Sequence, residues 1–101
     1  MKLLTKEILK RLPALYSTEE QEHPKAQVKF FLPDGDYTLF VTEYSPEKRL
    51  FFGLTYMHGN FELGYTSLDE MLKIRGGWGL PIERDLYFEP TGLDEVKASY
   101  R

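Results

Sequence analysis

Cysteine is absent from the 101 residues, which excludes disulfide staples and any zinc site built on thiolates. Long apolar runs are missing as well. The longest, Leu50–Phe51–Phe52–Gly53–Leu54, falls far short of the roughly 20 residues that span a bilayer. At the start, Met1–Lys2–Leu3–Leu4 passes directly into Thr5 and Lys6, so no apolar core of a secretory signal forms. The expected location is the cytoplasm, with no membrane partner. Histidine is scarce: only His23 and His58 titrate near neutral pH, and neither belongs to a metal-ligand pattern. Positive charge is not in surplus either. The net charge of −3 lacks the basic face that tight, phosphate-driven binding of duplex nucleic acid requires.

Apolar and aromatic residues, by contrast, are plentiful. Hydrophobic residues make up 42% of the chain and aromatics 15%, which separates it from disordered sequences of low hydrophobicity. The length suits one domain with one core, and no repeat, low-complexity stretch or linker divides residues 1–101.

Leu4, Ile8 and Leu12 recur at helical spacing and predict an N-terminal helix from Thr5 to Arg11, ended by Pro13. A polar loop follows from Ser17 to Lys25. Three turn signals then separate four apolar runs: Pro33–Asp34–Gly35–Asp36, Ser45–Pro46–Glu47–Lys48 and Gly59–Asn60. Centring each turn on its signal predicts a four-stranded meander. Leu32 then faces Tyr37, Phe30 faces Leu39 and Val28 faces Val41. Across the second turn Val41 faces Phe52 and Leu39 faces Leu54, and across the third Tyr56 faces Leu63 and Leu54 faces Tyr65. Since directly opposed residues share a face, one apolar face is expected from Val28, Phe30, Leu32, Leu39, Val41, Phe52, Leu54, Tyr56, Leu63 and Tyr65.

Ser67–Leu68–Asp69–Glu70 reads as a capping box opening a second helix that stops at Gly76–Gly77. Asp85–Leu86–Tyr87–Phe88 is expected to be a fifth strand, and Leu93 to Ala98 a short C-terminal helix. The predicted fold is α+β: a four- to five-stranded antiparallel meander sheet, packed on one face by the N-terminal helix and the helix after strand 4.

The other predicted face is threonine-rich and carries three phenylalanines, with Lys29, Phe31, Thr38, Phe40, Thr42, Phe51, Gly53 and Thr55 among its residues. Phe31, Phe40 and Phe51, with Lys29, would form a platform for stacking bases of single-stranded nucleic acid or anchoring a protein. The competing reading is that the C-terminal segment covers them. The loop from Gly76 to Asp85 is a second candidate, because Trp78 and Arg84 are side-chain types that dominate interfaces, with Asp85 beside them. Against that, Trp78 would plug the end of the core and Arg84 would pair with a carboxylate.

Catalytic signals are thin. Gly76–Gly77–Trp78–Gly79 is not a phosphate loop, lacking a following Gly-Lys-Ser/Thr. None of Ser17, Ser45, Ser67 and Ser99 sits in a nucleophile elbow. His58 flanks a turn and is expected in solvent. Glu43, with Glu83 and Asp85, would be the carboxylates of a hydrolase, but a rim ion pair between Glu43 and Arg49 is the stronger expectation. No catalytic residue, metal site or cofactor is predicted.

Several segments together carry a family resemblance: Leu12–Pro13–Ala14–Leu15–Tyr16–Ser17–Thr18–Glu19, Val28–Lys29–Phe30–Phe31–Leu32–Pro33, Val41–Thr42–Glu43, Leu50 to Leu54, Glu62 to Glu70 and Gly79 to Phe88. In this order the chain resembles the small bacterial proteins grouped as domain of unknown function twenty-nine fifty-eight. One departure is Leu39–Phe40, where the family usually carries Trp-Tyr. The resemblance brings no activity, cofactor or catalytic residue; what it implies is an origin on plasmids and conjugative elements. The expected function is therefore a non-catalytic interaction protein, an accessory or counter-defence factor binding an unidentified protein. Single-stranded nucleic-acid binding through Phe31, Phe40 and Phe51 is the alternative.

Overall fold

Thr5 starts the first helix by accepting a hydrogen bond from the Ile8 amide at 3.2 Å, the expected use of a threonine cap. The computed structural model describes residues 2–100. Helix α1 runs Lys6–Arg11 and buries Ile8. The strands are β1 (Lys25–Ala26), β2 (Val28–Phe31), β3 (Thr38–Ser45), β4 (Leu50–Met57), β5 (Asn60–Ser67), β6 (Glu83–Arg84) and β7 (Thr91–Gly92); helices α2 (Leu68–Met71) and α3 (Leu93–Ser99) complete the order. Five strands form one antiparallel sheet in the order β5-β4-β3-β2-β6. A separate β1–β7 pair fastens the start of α3 beside β2. The α+β meander expected from the sequence is present.

The first hairpin has the predicted register, Phe30 opposite Leu39 and Val28 opposite Val41. The third turns through His58 and Gly59, both at positive φ (54° and 79°), the two-residue turn whose twist suits a hairpin. Tyr56 therefore opposes Phe61, and Leu54 opposes Leu63. This differs from expectation by two positions, so the same residues still share a face.

The second hairpin is the correction. Val41 opposes Gly53, but Glu43 opposes Phe52, leaving Thr42 as an extra residue in β3. Its hydroxyl donates to the Phe52 carbonyl at 3.1 Å. A bulge of this kind reverses the alternation beyond it, so the single apolar face predicted from the sequence divides in two. Val28, Phe30, Leu39 and Val41 keep the first face and are joined by Tyr44 and Phe51; Leu54 moves to the second.

Each face carries a buried core. Leu3, Ile8, Leu68, Met71 and Ile82 close the first over Phe30 and Phe51, whose rings lie 5.4 Å apart. Leu93 and Val96 of α3 close the second over Phe40 and Leu54, with Phe61 and Phe88 at its margin. Each fully buried Phe or Leu contributes about 1.5–3 kcal/mol. Gly53 allows the two strands to approach: a Cβ there would be driven into the Phe40 carbonyl oxygen.

Glu43, buried to 2% exposure, lies on β3 beyond the bulge. Its carboxylate accepts from the Tyr16 amide at 2.8 Å and the Thr18 amide at 2.8 Å, and from the Thr18 hydroxyl. These bonds hold Tyr16 at a φ of 69°, a conformation uncommon outside glycine. The expected Glu43–Arg49 ion pair is absent, because Arg49 binds Asp69 through Nε at 2.9 Å and Nη2 at 2.8 Å. Ser67 caps α2, accepting from the Glu70 amide at 3.3 Å, but the helix ends at Met71, short of the stop expected at Gly76–Gly77, because Arg75 is already drawn into a bridge with Pro81. Asp85 to Phe88, expected as the fifth strand, instead forms a turn in which Asp85 Oδ1 accepts from the Tyr87 amide at 2.9 Å; the fifth strand of the sheet is β6.

Three outcomes are expected. Gly53→Ala costs about 1–3 kcal/mol by forcing β3 and β4 apart, read as a lower denaturant midpoint with an unchanged slope. Glu43→Ala removes one charged acceptor from three donors and costs about 3 kcal/mol, read by the same titration and by faster amide exchange at Tyr16 and Thr18. Burial raises the ionisation of Tyr37, Tyr44 and Tyr100 above the ordinary 10.0. The unfolded chain therefore loses phenolic protons first as pH rises past 10.0, and the stability present below that pH declines above it. Melting temperature against pH, followed with phenolate absorbance, checks the sign.

Candidate functional site

Strand β6 is two residues long and forms one edge of the sheet, paired as Phe30 with Arg84 and Phe31 with Glu83. Opposed residues share a face, so Arg84 points to the first core and Glu83 to the second. The Asp85 amide continues the ladder, donating to the Lys29 carbonyl at 2.9 Å. Asp85 Oδ2 lies 3.7 Å from Lys29 Nζ, and that ammonium stands 5.7 Å from the centre of the Phe40 ring. Lys29 thus joins an ion pair to a cation–π contact.

The loop before β6 is folded by Asp34. Its Oδ2 accepts from the Trp78 amide at 2.7 Å and the Leu80 amide at 3.2 Å, and its carbonyl accepts from the Gly77 amide at 3.4 Å. An Arg75–Pro81 bridge closes the base, and Gly79 turns the chain at a φ of 83°. Trp78 is presented at the tip with 90% of its surface exposed; it does not plug the core. The loop after β6, shaped by the Asp85 turn, presents Tyr87 at 93% exposure with Leu86 beside it. A shallow groove of about 400 Å³ runs along this edge, lined by Lys29, Phe31, Glu83, Arg84, Asp85, Leu86 and Tyr87.

The structure therefore brings Lys29, Phe31 and Asp85 together and leaves Trp78 on the neighbouring loop. It separates the rest of the candidate set. Arg84 lies on the opposite face from Lys29 and Asp85, where Nη1 donates to the carbonyls of Lys2 at 2.9 Å and Leu3 at 3.2 Å, strapping the N-terminal segment to β6. Phe40 is buried under α3, against Phe88 at 5.9 Å and Tyr100 at 6.2 Å. Phe51 is buried in the first core against Tyr44 at 4.6 Å, because the bulge turned it to that side. Phe31, Phe40 and Phe51 form no common platform.

The carboxylates do not converge either. Glu43 holds the 13–20 loop, while Glu83 and Asp85 lie two strands away in the sheet order. Among the described residues no group of three or more His, Asp or Glu side chains is placed to hold a metal ion. His23 lies 2.8 Å from Asp94 and His58 3.3 Å from Asp36, both in exposed positions. Among the described residues no helix is long and apolar enough to cross a membrane.

Leu80, Leu86 and Tyr87 are the side chains that sequence reasoning missed. The available signal was Asp85 two residues before Tyr87, the spacing of a turn in which an aspartate accepts from the backbone.

A family model described as "Protein of unknown function (DUF2958)" matches residues 3–94, nearly the whole chain. No curated protein and no solved structure matches it. The chain, a two-faced five-stranded sheet with an aromatic rim at its β6 edge, belongs to the DUF2958 family.

Proposed function

We propose that this protein is a small, non-catalytic interaction factor that binds another protein through the rim flanking β6, acting in the cytoplasm as an accessory or counter-defence inhibitor of a mobile genetic element. The observation that carries the binding role is the exposure of Trp78 and Tyr87 on two loops either side of one short strand, with Leu80 and Leu86 also exposed. Trp and Tyr are enriched among residues that dominate binding energy, and exposed apolar patches on small domains commonly mark interaction sites. Lys29, Glu83 and Asp85 supply charged groups at its margin, as in the polar border of many interfaces. The mobile-element context and inhibitory role rest on the family resemblance.

The alternative, single-strand nucleic-acid binding, loses its carrier once Phe40 and Phe51 are buried; it would have to rely on Trp78 and Tyr87 instead.

Trp78 is the single tryptophan, so its fluorescence reports directly on the rim. Trp78→Ala and Tyr87→Ala are each expected to weaken partner binding by about 2 kcal/mol or more, leaving the circular dichroism spectrum unchanged. Titrations against candidate host proteins, with wild-type chain and both variants, measure this. Unchanged affinity in both variants rejects the rim. Salt-sensitive binding of an oligonucleotide, lost with Trp78→Ala, would favour the alternative.

A further inference from the structure

The opposite edge of the sheet is formed by β5, eight residues from Asn60 to Ser67 that pair only with β4 among the described strands. The ladder identifies the backbone groups left over. In an antiparallel pair, alternate rungs exchange both hydrogen bonds. A two-residue turn makes its flanking residues such a rung, here Met57 with Asn60. Thr55–Glu62, Gly53–Gly64 and Phe51–Thr66 follow in step, and the Leu68 amide donates to Arg49 at 3.0 Å, as the next rung requires. Phe61, Leu63 and Tyr65 therefore direct their amides and carbonyls outward. Among the described residues nothing bonds to those groups.

Exposed edges of this length are normally blunted by lysine, proline or a bulge. β5 has none of these, and its pairing with β4 runs without a register shift. Its single charge, Glu62, lies on the other face from Phe61, Leu63 and Tyr65. Leu63 is 57% and Tyr65 52% exposed. The other edge, β6, is protected by being only two residues long.

We propose that β5 pairs antiparallel with β5 of a second copy of this chain, joining two five-stranded sheets about a twofold axis at Leu63. Phe61-Glu62-Leu63-Gly64-Tyr65 is nearly symmetrical about its centre: an aromatic at each end and leucine in the middle. Run antiparallel to itself, it sets Leu63 against Leu63 and each Phe61 against Tyr65, on rungs where the outward amides and carbonyls find each other. Glu62 then opposes Gly64, where open space lies above the backbone, so no two carboxylates meet directly. Such self-matching is what an isologous interface demands. Since β5 and β6 are opposite edges, the proposal stands apart from the Trp78–Tyr87 rim, and variants of that rim leave it unchanged.

Sedimentation equilibrium of the full chain is expected to show a mass approaching twice 11.9 kDa as concentration rises. Leu63→Pro removes an outward amide that β4 does not use and is expected to weaken self-association at least about tenfold, with circular dichroism unchanged. The chain has no cysteine, so single replacements report cleanly. Across the proposed axis the Cα atoms of position 63 lie about 5.5 Å apart, within disulfide range. Leu63→Cys is expected to form a covalent dimer on mild oxidation, and Glu62→Cys is not. A monomer mass at every concentration, a dimer untouched by a folded Leu63→Pro, or equal cross-linking from positions 62 and 63 would overturn the proposal. If Leu63→Pro does not fold, the wild-type mass and the cysteine pair decide.

Discussion

Thr42, the extra residue in β3, sets which side chains reach each of the two cores. Without it the strand would alternate uniformly, and Tyr44 could not join Leu39 and Val41 in the first core while Phe40 fills the second. With it, residues 39–44 of β3 are all buried, from both sides of the sheet. The bulge has two local supports. The Thr42 hydroxyl satisfies the Phe52 carbonyl, and Gly53 lets the Phe40 carbonyl approach where a side chain would stand.

Burying a sheet on two faces in a chain this short requires cover from both termini. α1 and the residues around α2 take the first face, and α3 takes the second. Backbone contacts fix these covers in place. Glu43 gathers the Tyr16–Thr18 loop, Arg84 holds the carbonyls of Lys2 and Leu3, and the β1–β7 pair holds the start of α3. Several segments that carry the family resemblance meet at such points. Leu12–Glu19 reaches Val41–Glu43 through the Glu43 carboxylate, and Leu50–Leu54 pairs with Glu62–Glu70.

With a core packed on each face of the sheet, Leu63 and Tyr65 stand exposed at the β5 edge and Tyr87 beside β6. The β6 edge displays aromatic side chains on two braced loops, whereas the β5 edge displays unpaired backbone beside a symmetrical apolar sequence. Side-chain anchors and strand addition are different modes of binding, and in the proposed reading they would lie at opposite edges of one sheet. Paired through β5, two chains would carry a Trp78–Tyr87 rim at each outer edge.

Elements whose signals are local were legible in the order of residues. The first helix began at Thr5 as its apolar spacing predicted, Ser67 capped the second, Pro13 followed the end of the first, and the turns near Gly35, Pro46 and Gly59 reversed the chain. These depend on backbone geometry within a few residues, which side-chain type controls directly. Which face each strand turns inward beyond Thr42 emerges only once the strands are paired. A one-residue bulge leaves no compositional mark, yet it exchanges the cores that Phe51 and Leu54 enter. Trp78 and Tyr87 were undecidable for the same reason. Whether an aromatic fills a core or stands in water depends on where distant segments close, and here Asp34 and Asp85 hold their loops so that both rings face outward.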